Sequence, residues 1–288
     1  MRTIIHLSDL HFGRTRPDLL DPLVEAVNGA GPDLVAVSGD LTQRARGWQF
    51  REARAFLDRI EAPCLVVPGN HDVPLDNIGL RLFGPWRRYR RWIGPELEPG
   101  HEDEELRVVG VNTVNPLDWQ RGRIDRHRVA RICSALSDPG GDPGGEAGTG
   151  RTRVVVAHHP FEHAPEQRDK ALMRGARRAL GALAGCGVDV VLCGHLHAWR
   201  AEPSGPGDAQ APSTLLVQAG TGLSTRVRGE ENDFNLLRVR PGEITVERFA
   251  APYGASAYAR ARSARFLRGP TGWQPADGQS VPASVAVV

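Results

Sequence analysis

The chain has 288 residues, of which 40% are apolar and 24% are charged, so it can bury one large core or two small ones. Its 36 basic and 34 acidic side chains nearly balance, and composition therefore gives no sign of a nucleic-acid partner. No apolar run approaches the roughly 20 residues that cross a bilayer, and the first residues resemble a strand, not a signal peptide. We expect a cytoplasmic protein without a membrane span.

Segments rich in β-branched and apolar residues recur along the first two thirds of the chain, with amphipathic stretches between most of them. They predict strands at 3–7, 34–38, 64–67, 106–111, 153–157 and 188–193. The second and last of these are nearly continuous apolar runs, as expected of strands that are covered on both faces. After residue 213, segments at 215–219, 234–239 and 244–249 alternate with Gly and Pro turns and predict antiparallel strands. The pattern indicates an α/β fold.

Two amphipathic stretches predict helices that pack on the sheet. One places four apolar side chains on a single helical face, namely Ala53, Phe56, Leu57 and Ile60. The other covers 174–184 and stops at a Gly-Cys-Gly sequence. We expect one domain over 1–268, with a Gly- and Pro-rich flexible loop at 138–150, followed by a C-terminal tail at 269–288.

The four cysteines show no short paired spacing, and three of them lie in or beside apolar stretches. This favours reduced, buried thiols over disulfides for Cys64, Cys133, Cys186 and Cys193. Cys193 adjoins a histidine cluster and is an alternative metal ligand. Within a strand, however, it would point away from its neighbour.

Five polar clusters each follow one of the predicted strands: Asp9-Leu10-His11, Gly39-Asp40, Gly69-Asn70-His71-Asp72, His158-His159 and Gly194-His195-Leu196-His197. Open α/β sheets gather such strand ends at one edge. Two aspartates, one asparagine and four histidines stand in ligand-type positions, and their mixed oxygen and nitrogen donors suit Mn²⁺, Fe or Zn²⁺ better than Mg²⁺ or Ca²⁺. They are too many for one catalytic ion and suffice for two ions that share a bridging carboxylate.

In order and character, the clusters resemble the motifs of the calcineurin-like metallophosphoesterase superfamily, over residues 6–197. The stretches 39–46 and 217–221 further resemble its bacterial class III cyclic-nucleotide phosphodiesterase branch. The resemblance implies a four-layer α/β/β/α sandwich with two mixed β-sheets flanked by helices. It also implies in-line attack on phosphorus by a water or hydroxide held between two metal ions (Mn, Fe or Zn).

The resemblance assigns roles to individual positions. Asp40 bridges both ions; the remaining ligands are Asp9, His11 and His197 for one ion and Asn70, His158 and His195 for the other. His71 is not a ligand in such sites and points at the scissile phosphate, where it can protonate the leaving oxygen. We expect Asp72 to orient its ring.

Several positions keep two interpretations. His159 either contacts substrate or supports the ligands, and Asn112 either reaches the phosphate or ends the fourth strand. The segment 83–92 is either a basic, aromatic rim of the site or an amphipathic helix with its aromatic residues in the core. Arg226, within 224–235, either binds an anionic substrate or belongs to a charged hairpin turn.

We therefore expect a metal-dependent phosphoric ester hydrolase, a phosphodiesterase for cyclic nucleotides or related small phosphoesters. A phosphomonoesterase, a nuclease and a hydrolase of nucleotide-sugar lipid pyrophosphates are alternatives that use the same site. The near-neutral charge balance argues against the nuclease. A non-enzymatic protein-binding scaffold on the same fold is the alternative from a different class, and a homodimer is compatible with the sequence.

Overall fold

The computed structural model describes residues 1–137, 150–163, 171–204 and 212–276. Its helices are α1 Leu20–Gly29, α2 Gly47–Leu57, α3 Ile78–Phe83, α4 Arg87–Trp92, α5 Arg126–Leu136 and α6 Ala176–Gly185. Its strands are β1 Arg2–Leu7, β2 Leu34–Ser38, β3 Cys64–Val67, β4 Gly100–Glu102, β5 Leu106–Val111, β6 Thr152–Ala157, β7 Val190–Cys193, β8 Arg200–Pro203, β9 Leu215–Gln218, β10 Asn232–Arg240, β11 Glu243–Ala251, β12 Ala259–Gly269 and β13 Gly272–Pro275.

The strands form two mixed sheets. The first has the order β13-β12-β11-β10-β1-β2-β3, with β1, β2 and β3 parallel and the remaining pairs antiparallel. The second has the order β4-β5-β6-β7-β9-β8, with parallel strands inside and an antiparallel strand at each edge. Strands β1, β2 and β3 of the first sheet and β6 and β7 of the second end at the site described below.

The two sheets pack face to face, and each carries helices on its outer face. Alternate residues of one strand enter different cores: Val154 of β6 lies between the sheets, whereas Val155 packs against α5 and α6. In β1, Ile4 lies between the sheets and Ile5 faces α1 and α2. Burial on both faces explains the continuous apolar runs of these strands. The predicted α/β/β/α sandwich is confirmed.

The C-terminal part departs from the sequence-based expectation in two ways. Strand β9 runs parallel to β7 in the second sheet, so the prediction that this segment is antiparallel holds only for its pairing with β8. Strand β13 pairs with β12, and Trp273 is buried between the sheets. The predicted tail boundary at 269 therefore falls inside a hairpin, because this tryptophan anchors the chain. The rest of the predicted tail, from 277, and the predicted loop up to 149 lie outside the described residues.

The prediction of reduced thiols is wrong for one pair, because Cys133 and Cys186 form a disulfide between α5 and the end of α6. The two helices pack side by side on the second sheet, which brings together cysteines that are 53 residues apart in sequence. Cys64 and Cys193 are free, the first exposed and the second buried. Within the described ranges, no helix combines the length and apolar character that a membrane span requires.

Candidate active site

All five polar clusters meet at the carboxyl ends of strands from both sheets. The loop after β1 carries Asp9 and His11, and the loops after β2 and β3 carry Asp40 and Asn70. The second sheet contributes His158 after β6, and His195 and His197 after β7. The structure therefore brings together the seven predicted ligands.

Most of these positions share a strained backbone conformation with positive φ. Among the described residues, seven that are not glycine have a positive φ, and five of them are predicted ligands: Asp9 (51°), His11 (50°), Asp40 (52°), His195 (73°) and His197 (57°). This conformation costs about 1 kcal/mol or more per residue. It turns the chain sharply at the strand end, so that the side chains converge on one point.

Glycines in the clusters allow the loops to approach one another. A Cβ atom on Gly69 would lie 2.1 Å from Asp40 Oδ1, and one on Gly194 would lie 1.8 Å from Ser8 Oγ. Neither distance can be tolerated in a folded protein. The Gly in each motif is therefore required by packing between ligand loops and is not a separate functional signal.

One group of donors consists of Asp9, His11 and His197, whose ligand atoms all lie within 4.8 Å of one another. The Nε2 atoms of the two histidines are 3.1 Å apart, and Asp9 Oδ1 lies 3.0 Å from His197 Nε2 and 3.5 Å from His11 Nε2. Asp9 Oδ1 is buried and has no hydrogen-bond partner. A buried carboxylate oxygen that faces two imidazole nitrogens fits a metal ion in the space between them.

A second group consists of Asn70, His158 and His195. Asn70 Oδ1 lies 3.0 Å from both His158 Nε2 and His195 Nδ1, which are themselves 3.2 Å apart. Asp40 Oδ2 is 3.4 Å from His158 Nε2 and 3.8 Å from His11 Nε2. Asp40 therefore lies between the two groups, in the position that a bridging carboxylate requires.

Charge interactions within the site are strong because it is buried. Burial opposes ionisation of Asp40, but His158 and His71 outweigh it and hold the pKa of that carboxyl well below its usual range. Burial likewise lowers the pKa of His158, yet the Asp40 carboxylate outweighs it and raises this pKa to about 9. For His195, burial and the nearby His158 lower the pKa to about 3. The site thus holds anionic carboxylates and a neutral His195.

Hydrogen bonds to backbone carbonyls fix which atom each ligand presents. His158 Nδ1 donates to Ser38 O at 2.8 Å and His197 Nδ1 donates to Arg226 O at 2.6 Å, so Nε2 is the atom that each ring directs at the site. Asn70 Nδ2 donates to Trp119 O at 3.2 Å, which leaves Oδ1 directed inward. These orientations match the needs of a metal centre.

His71 lies beside the donors with its Nε2 toward the open cavity. Its Nδ1 donates to Gln43 O at 2.8 Å, and Arg226 Nη1 is 3.3 Å from its Nε2. The backbone N–H of His71 also donates to Asp40 Oδ1 at 2.8 Å. A phosphate oxygen above the donor groups would meet both the imidazole and the guanidinium.

The prediction that Asp72 orients His71 is wrong, because Asp72 is fully buried behind the loop and points away from that ring. Burial and the nearby Asp40 raise its pKa to about 7. Its carboxylate accepts four hydrogen bonds, from Gly69 N, Leu41 N, Thr42 N and Thr42 Oγ1. Asp72 therefore joins the loops after β2 and β3, and the carbonyl of Gln43 orients His71.

His159 and Asn112 both form hydrogen bonds within the protein. His159 hydrogen-bonds Thr113 Oγ1 at 2.8 Å through Nδ1 and Gln120 O at 3.0 Å through Nε2. Its ring packs 4.6 Å from that of His195. Asn112 Oδ1 accepts from Val114 N and ends β5. Asn112 is not among the residues that line the cavity, which fits the strand-ending interpretation, whereas His159 does line it, so both of its interpretations stay predictions.

The segment 83–92 adopts the amphipathic alternative. Tyr89 is fully buried and donates to Val66 O at 3.0 Å, while Trp86 and Trp92 pack against the same core. No residue of this segment is among those that line the cavity at the described donor groups. The side chains of Trp86, Tyr89 and Trp92 stabilise the fold and do not form a rim, whereas Phe83 is exposed and is not among the residues that line the cavity.

The cavity above the donors has a volume of about 620 Å³. Arg226 and Arg228, both within the segment 224–235 that sequence reasoning considered for anion binding, line this cavity, and two arginines that it missed join them: Arg121 and Arg174. They lie on loops, where isolated arginines carry no recognisable spacing. Four guanidinium groups around a metal-type donor set favour an anionic ligand.

A sequence model of the calcineurin-like phosphoesterase family matches residues 2–199. The chain belongs to this family. Calcineurin-like phosphoesterases use divalent metal ions, and the two donor groups described above fit that requirement. The chain is accordingly a metal-dependent phosphoesterase, which is a hydrolase.

Two relatives are each 26% identical to the chain over 67% of its length. They are the glycerophosphodiester phosphodiesterase GpdQ of Enterobacter lignolyticus, of which the match covers 70%, and a probable cyclic nucleotide phosphodiesterase of Rhodococcus erythropolis, of which it covers 64%.

Solved structures of two phosphatases share the fold. A purple acid phosphatase from yellow lupin superposes with a TM-score of 0.68 at 15% identity, over 92% of this chain and 53% of its own. A dimetal phosphatase from Danio rerio gives a TM-score of 0.61 at 12% identity, over 93% of this chain and 99% of its own. The chain thus spans about half the length of the plant protein.

Proposed function

We propose that the chain is a dinuclear phosphodiesterase that hydrolyses small phosphodiesters, with cyclic nucleotides as the first substrates to test. The observation that carries the proposal is the position of Asp40, with Oδ2 facing His11 of one donor group and His158 of the other. This arrangement suits two ions with a shared carboxylate. Mn²⁺, Fe and Zn²⁺ all suit the mixed oxygen and nitrogen donors.

One ion would be held by Asp9, His11, Asp40 and His197, and the other by Asp40, Asn70, His158 and His195. The ions would activate a water molecule for attack on phosphorus and neutralise charge on the phosphoryl oxygens. The protein supplies the remaining groups. Arg226 binds a non-bridging oxygen, and His71, whose Nε2 faces the cavity, donates a proton to the leaving oxygen as the phosphorus–oxygen bond breaks.

Small diesters are favoured over polymers by the cavity and by the relatives. A volume of about 620 Å³ accommodates a mononucleotide-sized ligand. Both relatives described above are phosphodiesterases by name, one for glycerophosphodiesters and one for cyclic nucleotides. Glycerophosphodiesters are therefore the second candidate substrate class.

The test is hydrolysis of bis(p-nitrophenyl) phosphate by the purified protein with Mn²⁺. Asp40→Ala and Asn70→Ala are expected to abolish it, while Asp58→Ala, at an exposed carboxylate paired with Arg54, retains it. Activity of the metal-free protein or of Asp40→Ala would contradict the mechanism. Comparing kcat/KM for 3′,5′-cyclic AMP, a glycerophosphodiester and p-nitrophenyl phosphate then separates the two diester classes from a monoesterase.

Proton donation by His71 has a separate test. His71→Ala should lose most activity on a cyclic nucleotide, whose alkoxide leaving group needs a proton, and least on the nitrophenyl diester. Equal losses on both substrates would show that His71 acts only by binding the phosphate.

A further inference from the structure

The loop 115–121, between β5 and α5, directs three successive backbone carbonyls into the protein. Each accepts a hydrogen bond from a side chain of another element: Arg81 Nη2 to Asp118 O (2.9 Å), Asn70 Nδ2 to Trp119 O (3.2 Å) and His159 Nε2 to Gln120 O (3.0 Å). Loops on a protein surface usually direct carbonyls to water. Three consecutive inward carbonyls indicate that the loop serves the site.

The side chain of Arg81 holds this loop in place. It is 7% exposed and projects from α3, six residues of helix that follow the Asn70 turn. Its Nη1 donates to Pro74 O at 3.2 Å on the near side, while its Nη2 reaches Asp118 O on the far side. The guanidinium also lies 5.3 Å from the ring centre of Trp119. Arg81 thus fastens the loop to the segment that follows the ligand.

The contact at Trp119 determines which end of the Asn70 amide faces the metal. A carbonyl oxygen only accepts hydrogen bonds, so it selects Nδ2 as its neighbour and leaves Oδ1 free. An amide rotated by half a turn would present Nδ2 to the ion, and an amide NH₂ does not coordinate. The position of the Trp119 carbonyl therefore controls whether Asn70 is a ligand.

We propose that Arg81 is a positioning residue for the ion at Asn70, His158 and His195, acting through the Trp119 carbonyl. This inference rests on the ligand set of the proposed function. The contacts described for Arg81 involve none of the donor atoms, and the other group, with Asp9 and His11, is held by separate loops. Loss of Arg81 should therefore weaken binding of the ion at Asn70, His158 and His195 and leave binding of the other ion unchanged.

The test measures each ion alone by titration calorimetry with Mn²⁺. In a His11→Ala background, only the ion held by Asn70, His158 and His195 (the Asn70 ion) is expected to bind. Adding Arg81→Met to this background should raise the dissociation constant of the Asn70 ion about tenfold, the lower end of the range for residues behind metal ligands. In an Asn70→Ala background only the other ion remains, and the same change should leave its dissociation constant unaltered. Arg87→Met, an exposed arginine on the neighbouring helix, is the matched control and should change neither.

Arg81→Lys extends the test, because lysine keeps the charge but its single ammonium group cannot span both carbonyls. This variant should weaken binding of the Asn70 ion less than Arg81→Met does. It replaces Arg81→Met if circular dichroism shows that the latter is unfolded. Unchanged affinity for the Asn70 ion, or equal losses in both backgrounds, overturns the inference. If Asn70→Ala itself keeps both ions, the proposed ligand set is wrong and the inference fails with it.

Discussion

Replacement of Gly194 by alanine tests whether close packing of the ligand loops maintains the geometry of the site. A Cβ at this position would lie 1.8 Å from Ser8 Oγ and 2.4 Å from Asp9 Oδ2. Since such contacts are not tolerated below 3.0 Å, the buried side chains of Ser8 and Asp9 must shift by roughly 1 Å. That movement also strains the hydrogen bond from His195 N to Asp9 Oδ2, which is 2.9 Å long.

We expect Gly194→Ala to lower the free energy of unfolding by about 1–3 kcal/mol, the usual cost of overpacking. We also expect weaker Mn²⁺ binding, because Asp9 is displaced. Denaturant titration of the metal-free protein measures the first effect and calorimetry the second. Gly181→Ala is the control: it lies in α6 with nothing within 4 Å of a new Cβ, and should stabilise the protein by roughly 0.5–1 kcal/mol. A Gly194→Ala protein that matches wild type in both measurements would refute the packing argument.

Three further predictions concern proton release, the pH dependence of stability and the disulfide. In the metal-free protein, burial lowers the pKa of His158, but Asp40 outweighs burial and raises this pKa to about 9. Ion binding near neutral pH should therefore release close to one proton. Calorimetry in buffers of different ionisation enthalpy measures this release, because the observed heat then varies with the buffer. Because the pKa of His158 exceeds its ordinary value of 6.5, the stability that His158 contributes is complete below pH 6.5 and is lost as pH rises through 9. Denaturation of the metal-free protein at several pH values measures this loss. The Cys133–Cys186 bond joins residues 53 apart, and closing a loop of this size is worth on the order of 4 kcal/mol. A reducing agent should lower the unfolding free energy of wild type by that amount and leave Cys133→Ser unchanged, and a wild type insensitive to reductant would contradict this.

The strand ends were predictable because apolar periodicity and ligand-type residues coincide there. Each of the five clusters follows a strand that the sequence already indicates, and parallel strands in one sheet must end on the same side. The two-layer arrangement of the sheets follows from runs such as 34–38, whose residues are all buried. Placing Asp40 between the donor groups needed only the order of the strands and the resemblance to a known family.

Side-chain partners were not predictable in the same way. Asp72 is adjacent to His71 in sequence, but in the short helical turn Asn70–Asp72 neighbouring side chains point in different directions, so the carboxylate joins backbone groups and not the imidazole. The partner of His71 is the carbonyl of Gln43, a group that every residue possesses. A sequence therefore carries no signal for such a contact. For the same reason, the contact between Asn70 and the Trp119 carbonyl could not be predicted from the sequence.

This distinction suggests how substrate choice can vary without loss of the metal centre. His197 is held by the backbone carbonyl of Arg226, whereas the side chain of Arg226 faces His71 and the cavity. Asn70 is held by the backbone carbonyl of Trp119, a residue that is 59% exposed. In both loops the backbone orients a ligand and the side chain points elsewhere. Replacing the Arg226 side chain should therefore alter substrate binding while His197 keeps its hydrogen bond, whereas replacing Trp119 also removes the ring that packs against Arg81.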